Sequence, residues 1–210
     1  GVELQDVFES CTLVNRHDQS IATYDKVACQ FGYRDSIFKR ELKHKVVITD
    51  VSLRLKKENY RLNTSYGAIA HLLASEGIST PSPKEIAEII IDIRTTKLPD
   101  PNQLGNAGSF FKNPIINHDQ FAKLKSSFPD IPHYAQPNQN YKIPAAWLIE
   151  QVGLKGTRNG DVGIHKHHAL VLVNFGNASG HDIKAFSQVV LQAVKERFDI
   201  LLQPEVNFCC

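Results

Sequence analysis

The chain has 210 residues and is 42% hydrophobic, which allows one large or two small domains with sizeable cores. Its formal charge of +2, with dispersed basic residues, does not point to nucleic acid, and no apolar run approaches the ~20 residues of a membrane-spanning helix. The four cysteines form no Cys-x-x-Cys pair, so we expect free thiols, as in a reducing cytoplasm, rather than a zinc site or a structural disulfide.

The first part of the chain carries two signals for strands and two for helices. Residues 11–15 and 21–25 alternate between apolar and polar side chains on either side of a polar segment, which predicts a β-hairpin. Residues 46–55 end in clean alternation, which is typical of a half-buried strand. A helix is predicted over residues 66–76, and a capping box at Ser82–Glu85 begins another. The second helix presents one apolar stripe, made of Ile86, Ile89, Ile90 and Ile93.

Residues 98–108 are rich in Pro, Asn and Gly and mark a domain boundary near residue 99. Beyond it, Asn117 is expected to cap a short helix, residues 131–141 to form a loop, and Pro144 to open a helix that ends at Gly153.

The rest of the chain combines a buried strand at 169–173 with a long helix capped by Ser179. The inward face predicted for this helix contains Ile183, Phe186, Val189, Val190, Val194 and Phe198. Residues 200–208 are predicted to form a final strand, in which Pro204 indicates an edge or a bulge. Because helices and strands mix without regular βαβ alternation, the predicted fold class is α+β.

One ten-residue run, Gly105–Pro114, concentrates chemical groups around a single hydroxyl. Ser109 stands among glycines, two carboxamides, a lysine and two phenylalanines, so we expect it on a tight turn that holds an anion or delivers a proton. The run does not fit the G-x-S-x-G nucleophile elbow, because Phe110 follows Ser109, and it lacks the Walker spacing.

This run resembles the signature of the UDP-N-acetylenolpyruvoylglucosamine reductase (MurB) family, and further stretches resemble the same family in the same order. These stretches are residues 31–38, 94–101, 145–150, 153–156 and 204–206. The resemblance covers nearly the whole chain and implies a monomeric, cytoplasmic flavoenzyme of peptidoglycan synthesis, without metal, membrane or nucleic-acid partners. In that family NADPH reduces bound FAD, and the flavin then reduces UDP-N-acetylglucosamine enolpyruvate to UDP-N-acetylmuramate.

The resemblance assigns three catalytic groups. Ser109 would donate the proton, with Lys112 or Lys97 supplying a charged environment, whereas an isolated serine in such a loop more often only bonds the turn backbone. Arg34 would bind the substrate carboxylate through its planar fork, although an Arg next to Asp35 is also typical of a local salt bridge. Glu205, expected to be partly buried, would act with Arg34; its alternative is a rim residue that faces solvent.

Substrate and flavin contacts also follow from the resemblance. Tyr33, Tyr66, Lys97, Asn113, Lys155 and His168 would bind the nucleotide sugar, and Ile48 and Arg34 would lie at the FAD. Four of these residues could instead be ordinary exposed surface residues, namely Tyr66, Lys97, Asn113 and Lys155. The resemblance places His168 at the uridine, where the family has a glutamine.

Residues 165–168 read His-Lys-His-His, which invites a metal hypothesis. Adjacent histidines seldom chelate one ion without further ligands, and no Asp, Glu or Cys stands at a suggestive spacing. No metal site is therefore predicted.

The resemblance divides the chain into three parts. Residues 1–99 would complete a two-lobed FAD-binding domain whose glycine-rich phosphate loops precede this sequence, residues 100–199 would form an α+β substrate-binding domain, and residues 200–210 would return as a strand to the active site. The chain is thus expected to be the C-terminal portion of a longer enzyme. The alternative for these 210 residues alone is a non-catalytic nucleotide-sugar binding fragment that cannot hold FAD.

Overall fold

The computed structural model describes residues 3–58, 60, 62–64 and 68–209. The chain divides into two compact units, Gly1–Ile86 and Ala87–Cys210, which are described separately below. The mixture of helices and antiparallel sheets confirms the α+β class. No helix in the described part of the chain is long and apolar enough to cross a bilayer.

The first unit is built on a three-stranded antiparallel sheet in the order β2-β1-β3. Strands β1 (Phe8–Asn15) and β2 (Ile21–Asp25) form the predicted hairpin, and β3 (Val46–Leu53) pairs with the other edge of β1. Helix α1 (Leu4–Val7) precedes the sheet, a short 3-10 helix (Ile37–Lys39) lies between β2 and β3, and α2 (Ala68–Ser75) follows β3.

Strand β3 is present as predicted, but it is not half-buried. Its burial pattern is exposed from Val47 onward, and Val47, Val51 and Leu53 are 51%, 51% and 45% accessible. The antiparallel partners of Val51 and Leu53 are Cys11 and Phe8 on the buried face of β1, whereas Val47 pairs with Val14 on the opposite face. The described residues of the first unit cover the buried face over β1 but not over β3.

A small core lies on that face of β1. Phe8, Cys11 and Cys29 are buried, and the ring of Phe31 meets Phe8 edge-on at 4.9 Å. The two thiols lie 3.9 Å apart, and burial together with the neighbouring Cys11 raises the pKa of Cys29 to about 12. Both are free thiols, as the sequence predicts.

Helix α3 (Pro83–Lys97) begins at the predicted capping box and runs from the first unit into the second. Ser82 Oγ accepts from Glu85 N–H, while the Glu85 carboxylate accepts from the Ser82 backbone, which fixes the start of the helix. Ile86 and Ile89 of the predicted stripe are buried and Ile93 is half-buried, whereas Ile90 is 38% exposed.

Over residues 87–209, the second unit contains three small antiparallel sheets and three helices besides the end of α3. Its helices are α4 (His118–Ser127), α5 (Ala145–Gln151) and α6 (Gly180–Phe198). One sheet has the order β4-β11-β10-β9, another β12-β5 and the third β6-β8-β7. The strands are β4 (Gly105–Ser109), β5 (Phe111–Lys112), β6 (Ile115–Ile116), β7 (Tyr134–Gln136), β8 (Asn140–Lys142), β9 (Arg158–Asn159), β10 (Val162–Ile164), β11 (Val171–Asn174) and β12 (Gln203–Pro204).

Helix α6 supplies much of the core of this unit. Ser179 caps it through a capping box with Asp182, as predicted. Of the predicted inward face, Phe186, Val190, Val194 and Phe198 are buried and Ile183 packs against the core. Val189 is 51% exposed, because the 100° step per residue that buries Val190 turns its neighbour to the flank of the helix.

Two predicted elements of this unit differ from those in the structure. The 131–141 loop contains strand β7, which pairs with β8 across a turn where Asn138 and Gln139 have φ of 58° and 57°. The final strand is limited to Gln203–Pro204 rather than 200–208, and a proline cannot donate to a ladder. The helices at Asn117 and Pro144 and the buried strand β11 are present.

Candidate active site

Ser109 does not lie on a tight turn; it ends strand β4, which pairs with β11. The register runs from Asn106↔Val173 to Ser109↔Val171, so β4 carries one extra residue, a β-bulge, immediately before the serine. Gly108 has φ +70° there, a conformation that glycine adopts without strain. A bulge re-aims the following side chain, so the glycines still determine where Ser109 points.

Asn106 holds this bulge in place. Its amide nitrogen donates to the carbonyls of Pro99 and Leu104, and its carbonyl oxygen accepts from Gly108 N–H at 2.9 Å. The Gly-Asn pair in the sequence suggested only a turn, and the long-range bond to Pro99 carried no local signal.

Glu205 is brought next to Ser109 through the backbone of Phe110. The Glu205 N–H donates to the Phe110 carbonyl at 2.8 Å, and the Phe110 N–H donates to the Leu170 carbonyl at 2.7 Å. Strand β12 pairs Gln203 with Lys112 and extends this ladder. Glu205 is partly buried, as expected. The catalytic serine and glutamate predicted from the sequence therefore lie on adjacent segments of one unit, although their roles stay predictions.

Three predicted substrate-binding residues, Lys97, Lys155 and His168, form a basic cluster in the second unit. Burial lowers the pKa of His168 most, and the ammonium groups of Lys155 and Lys97 lower it further. Lys155 Nζ lies 2.7 Å from Glu150 Oε1, and this carboxylate partly offsets the positive field. Glu150 was missed from the sequence, because a spacing of five residues across the end of α5 is not a helical ion-pair spacing.

The loop 165–168 lies beside this basic cluster. A Cβ on Gly156 would stand 3.6 Å from Lys166 Cα, so the segment that carries Lys155 packs on the loop. His165 and His167 line a cleft of about 590 Å³ with the end of α3 and the residues that follow it. Burial lowers the pKa of His165, and its Nδ1 is buried with no hydrogen-bond partner in the described part of the chain.

Asn113 has a structural contact that the sequence did not suggest. Its side-chain oxygen accepts from the backbone N–H of Ala145 at 2.8 Å, which satisfies a donor at the start of α5. The side-chain oxygen of Asn113 therefore already has a hydrogen-bond donor within the protein. The predicted contact with the nucleotide would use the NH₂ group of the same side chain.

The remaining predicted residues belong to the first unit. Gly32 and Asp35 exchange two backbone hydrogen bonds, so Tyr33 and Arg34 form the centre of a tight turn, with Arg34 at φ 53°. Asp35 forms an ion pair with Arg40. Left-handed φ at a non-glycine residue is costly and is concentrated at functional sites. The approach of Arg34 to Ser109 stays a prediction.

Ile48, predicted at the flavin, lies on β3 with its side chain 42% exposed. Tyr66 lies outside the described residues. Within residues 3–58, 60, 62–64 and 68–209, no three His, Cys, Asp or Glu side chains are grouped to hold a metal ion.

Comparison with known proteins agrees with these features. The sequence model for "UDP-N-acetylenolpyruvoylglucosamine reductase, C-terminal domain" matches residues 100–209. The UDP-N-acetylenolpyruvoylglucosamine reductases of Flavobacterium johnsoniae and Pseudomonas aeruginosa are 47% and 45% identical to the chain, and each alignment covers 99% of it. The chain spans only 61% and 60% of these two relatives.

A solved structure shows the same fold. The UDP-N-acetylenolpyruvylglucosamine reductase (MurB) of Thermus caldophilus matches with a TM-score of 0.55 and 25% identity, over 98% of this chain and 54% of that one. Together with the match to residues 100–209, these similarities show that the chain belongs to the UDP-N-acetylenolpyruvoylglucosamine reductase (MurB) family.

Proposed function

We propose that this chain forms part of an enzyme that reduces UDP-N-acetylenolpyruvoylglucosamine to UDP-N-acetylmuramate, with NADPH as reductant and FAD as cofactor. Family membership supports the reaction, and the observation that carries its assignment to these residues is the location of Ser109, Glu205 and the basic cluster in one unit. Lys97 and Lys155 supply positive charge of the kind that a nucleoside diphosphate requires.

The residues of the first unit fit a bound flavin. Strand β3 pairs with β1 along one edge, and no other described strand pairs with it, so backbone groups near Ile48 can bond the polar edge of a flat heterocycle. When bound, FAD supplies the hydride, which no side chain can provide.

The protein's own groups perform the rest of the reaction. The Arg34 guanidinium binds the carboxylate of the enolpyruvyl group, where negative charge grows as the double bond is reduced. Glu205, held next to Ser109 through the Phe110 carbonyl, acts with Arg34 at the same carboxylate. Ser109 Oγ delivers a proton to the carbon that does not receive the hydride, and the bulge at Gly108 sets its direction.

The complete protein tests this proposal. We expect it to purify yellow, with a flavin absorbance spectrum, and to oxidise NADPH, followed at 340 nm as the nicotinamide absorbance, only after the enolpyruvyl substrate is added. A colourless complete protein that shows no substrate-dependent oxidation of NADPH would contradict the proposal.

A second function applies to the 210 residues alone. Because the chain spans about three fifths of its relatives, the basic cluster can retain nucleotide-sugar binding where FAD binding fails. Calorimetry with UDP-N-acetylglucosamine, combined with FAD titration, separates this fragment from one that assembles a flavin site.

A further inference from the structure

Charged groups on three segments of the second unit act on His168. Lys97 ends α3, Lys155 follows α5 with Glu150 as its ion-pair partner, and both ammonium groups act on the imidazole. His165, Lys166 and His167 complete its own loop. The contact of Gly156 with Lys166, and the cleft that joins the end of α3 to His165 and His167, place these three segments side by side.

The hydrogen bond of His168 fixes its uncharged form. The Leu170 N–H donates to His168 Nδ1 at 3.3 Å, so Nδ1 is an acceptor and the proton of the neutral ring lies on Nε2. A second proton at Nδ1 would break this bond. Burial and the two lysines act in the same direction and lower the pKa of His168, so both favour the neutral imidazole in the protein without ligand.

A bound dianion opposes part of the effect that lowers the pKa of His168. Negative charge that enters between Lys97 and Lys155 offsets the field of the two ammonium groups and attracts an imidazolium. The pKa of His168 therefore rises when a diphosphate binds, while a neutral nucleoside leaves it unchanged.

We propose that His168 is a specificity-determining residue of the nucleotide-sugar site, which takes up a proton as a doubly charged diphosphate binds next to Lys97 and Lys155. This inference rests on the proposed function, because it takes the basic cluster as the diphosphate site. It makes the preference for a diphosphate over an uncharged nucleoside increase as the pH falls.

The direction of this pH dependence follows from the linkage between proton binding and ligand binding. Above the pKa of the bound state neither form of the protein carries the proton, so affinity is constant there. Affinity rises as the pH falls from the bound-state pKa to the lower pKa of the free protein, and it levels off below that value. A difference of one pKa unit corresponds to about 10-fold in affinity.

Calorimetry on the complete, FAD-loaded protein measures the proton directly. UDP-N-acetylglucosamine is the probe, because its diphosphate diester keeps both negative charges throughout the range used, and uridine is the neutral comparison. Titrations at about pH 6 in two buffers of different ionisation enthalpy should show uptake of a fraction of a proton with the sugar nucleotide and none with uridine. At about pH 8.5 proton uptake should vanish, and affinity for UDP-N-acetylglucosamine should be several-fold weaker than at about pH 6.

Two variants assign the proton. His168→Gln should lose both the uptake and the pH dependence of affinity, whatever its affinity at about pH 8.5, whereas His167→Gln, in the same loop, should keep both. His-selective NMR of the unaltered protein should show one imidazole whose pKa rises with the sugar nucleotide. This measurement does not depend on the folding of any variant.

The outcomes separate the two claims. Failure of UDP-N-acetylglucosamine to bind at any pH would overturn the proposed function. Binding with no proton uptake, or uptake that survives in His168→Gln, would overturn the role of His168 and leave the proposed function intact.

Discussion

Ser109 illustrates how one backbone irregularity can decide the use of a side chain. The serine follows a β-bulge whose extra residue is held by Gly108 at φ +70° and by the hydrogen bonds of Asn106. A serine in a regular strand would have its direction fixed by the alternation of the ladder. The bulge changes that direction, so the Ser109 hydroxyl can be aimed at the carbon that receives the proton in the proposed reaction.

Replacement of Ser109 by Ala should affect only one half of the proposed reaction. Flavin reduction by NADPH should stay within about twofold of the unaltered enzyme, because no proton from Ser109 is needed. Reoxidation of the flavin by the enolpyruvyl substrate should slow about 10²- to 10⁴-fold, the usual contribution of a general acid. Stopped-flow absorbance at the flavin band measures both steps. Ser126→Ala, at an exposed position of α4, is the control, and equal losses in both steps would make Ser109 structural.

Asn113 combines a structural and a proposed ligand role that substitution can separate. Asn113→Ala leaves the buried Ala145 N–H without its acceptor, so the free energy of unfolding should fall by about 1–3 kcal/mol. Asn113→Asp keeps an acceptor oxygen, which a helix N-terminus favours, so stability should hold while affinity for the nucleotide sugar drops at least about 10-fold. Denaturant unfolding and calorimetry give the two quantities. If both variants lost stability, or if Asn113→Asp kept full affinity for the nucleotide sugar, the two roles would not be separable in this way.

At the scale of elements, strand β10 depends on the absence of a side chain at Gly163. A Cβ there would stand 2.4 Å from the Thr157 carbonyl oxygen and 2.9 Å from the Phe175 ring, on which the Arg158 guanidinium stacks at 4.3 Å. The backbone oxygen cannot move without breaking the pairing of β9 with β10. Glycine is required here by close packing rather than by its φ angle.

Gly163→Ala should therefore lower the free energy of unfolding by about 3 kcal/mol, at the upper end of the usual cost of overpacking. The matched control is Gly180→Ala, because a Cβ at this first residue of α6 meets nothing within 4 Å. That variant should be neutral or more stable by up to about 1 kcal/mol, since alanine restricts the unfolded chain. Similar losses for both variants in urea unfolding would refute the steric explanation.

The sequence predicts elements well where the local rule and the tertiary requirement coincide. The capping box at Ser179 and the apolar period of α6 are both local, and both were found. Strand β7 was missed because its turn uses Asn138-Gln139 with positive φ at both residues, where the local rule expects Asn-Gly. The basic cluster brings together residues that are up to 71 positions apart in the sequence, from Lys97 to His168. No local sequence pattern indicates such a contact, so only the resemblance to the family suggested these residues.

For the whole molecule, the exposed apolar face of β3 is the feature that the two units do not explain separately. Val51 and Leu53 continue the buried face of β1, yet they are 51% and 45% exposed. Exposed edges and apolar strand faces promote association, and proteins normally cover them. The relatives are longer than this chain by about two fifths of their own length, and we propose that a segment matching this additional length covers β3.

Hydrogen exchange compares the strand in the two contexts. In the 210-residue chain the amides of β3 that do not bond β1 should exchange within seconds, because they open without loss of packing. In the complete protein the same amides should exchange at least about 100-fold more slowly, while the amides of α6, buried within its own unit, should change little. The short chain should also form aggregates in light scattering, which Val51→Thr with Leu53→Thr should reduce. Equal exchange rates for β3 in both proteins would show that no further segment of the chain covers this face. The exposed apolar side chains of β3 would then require a different explanation.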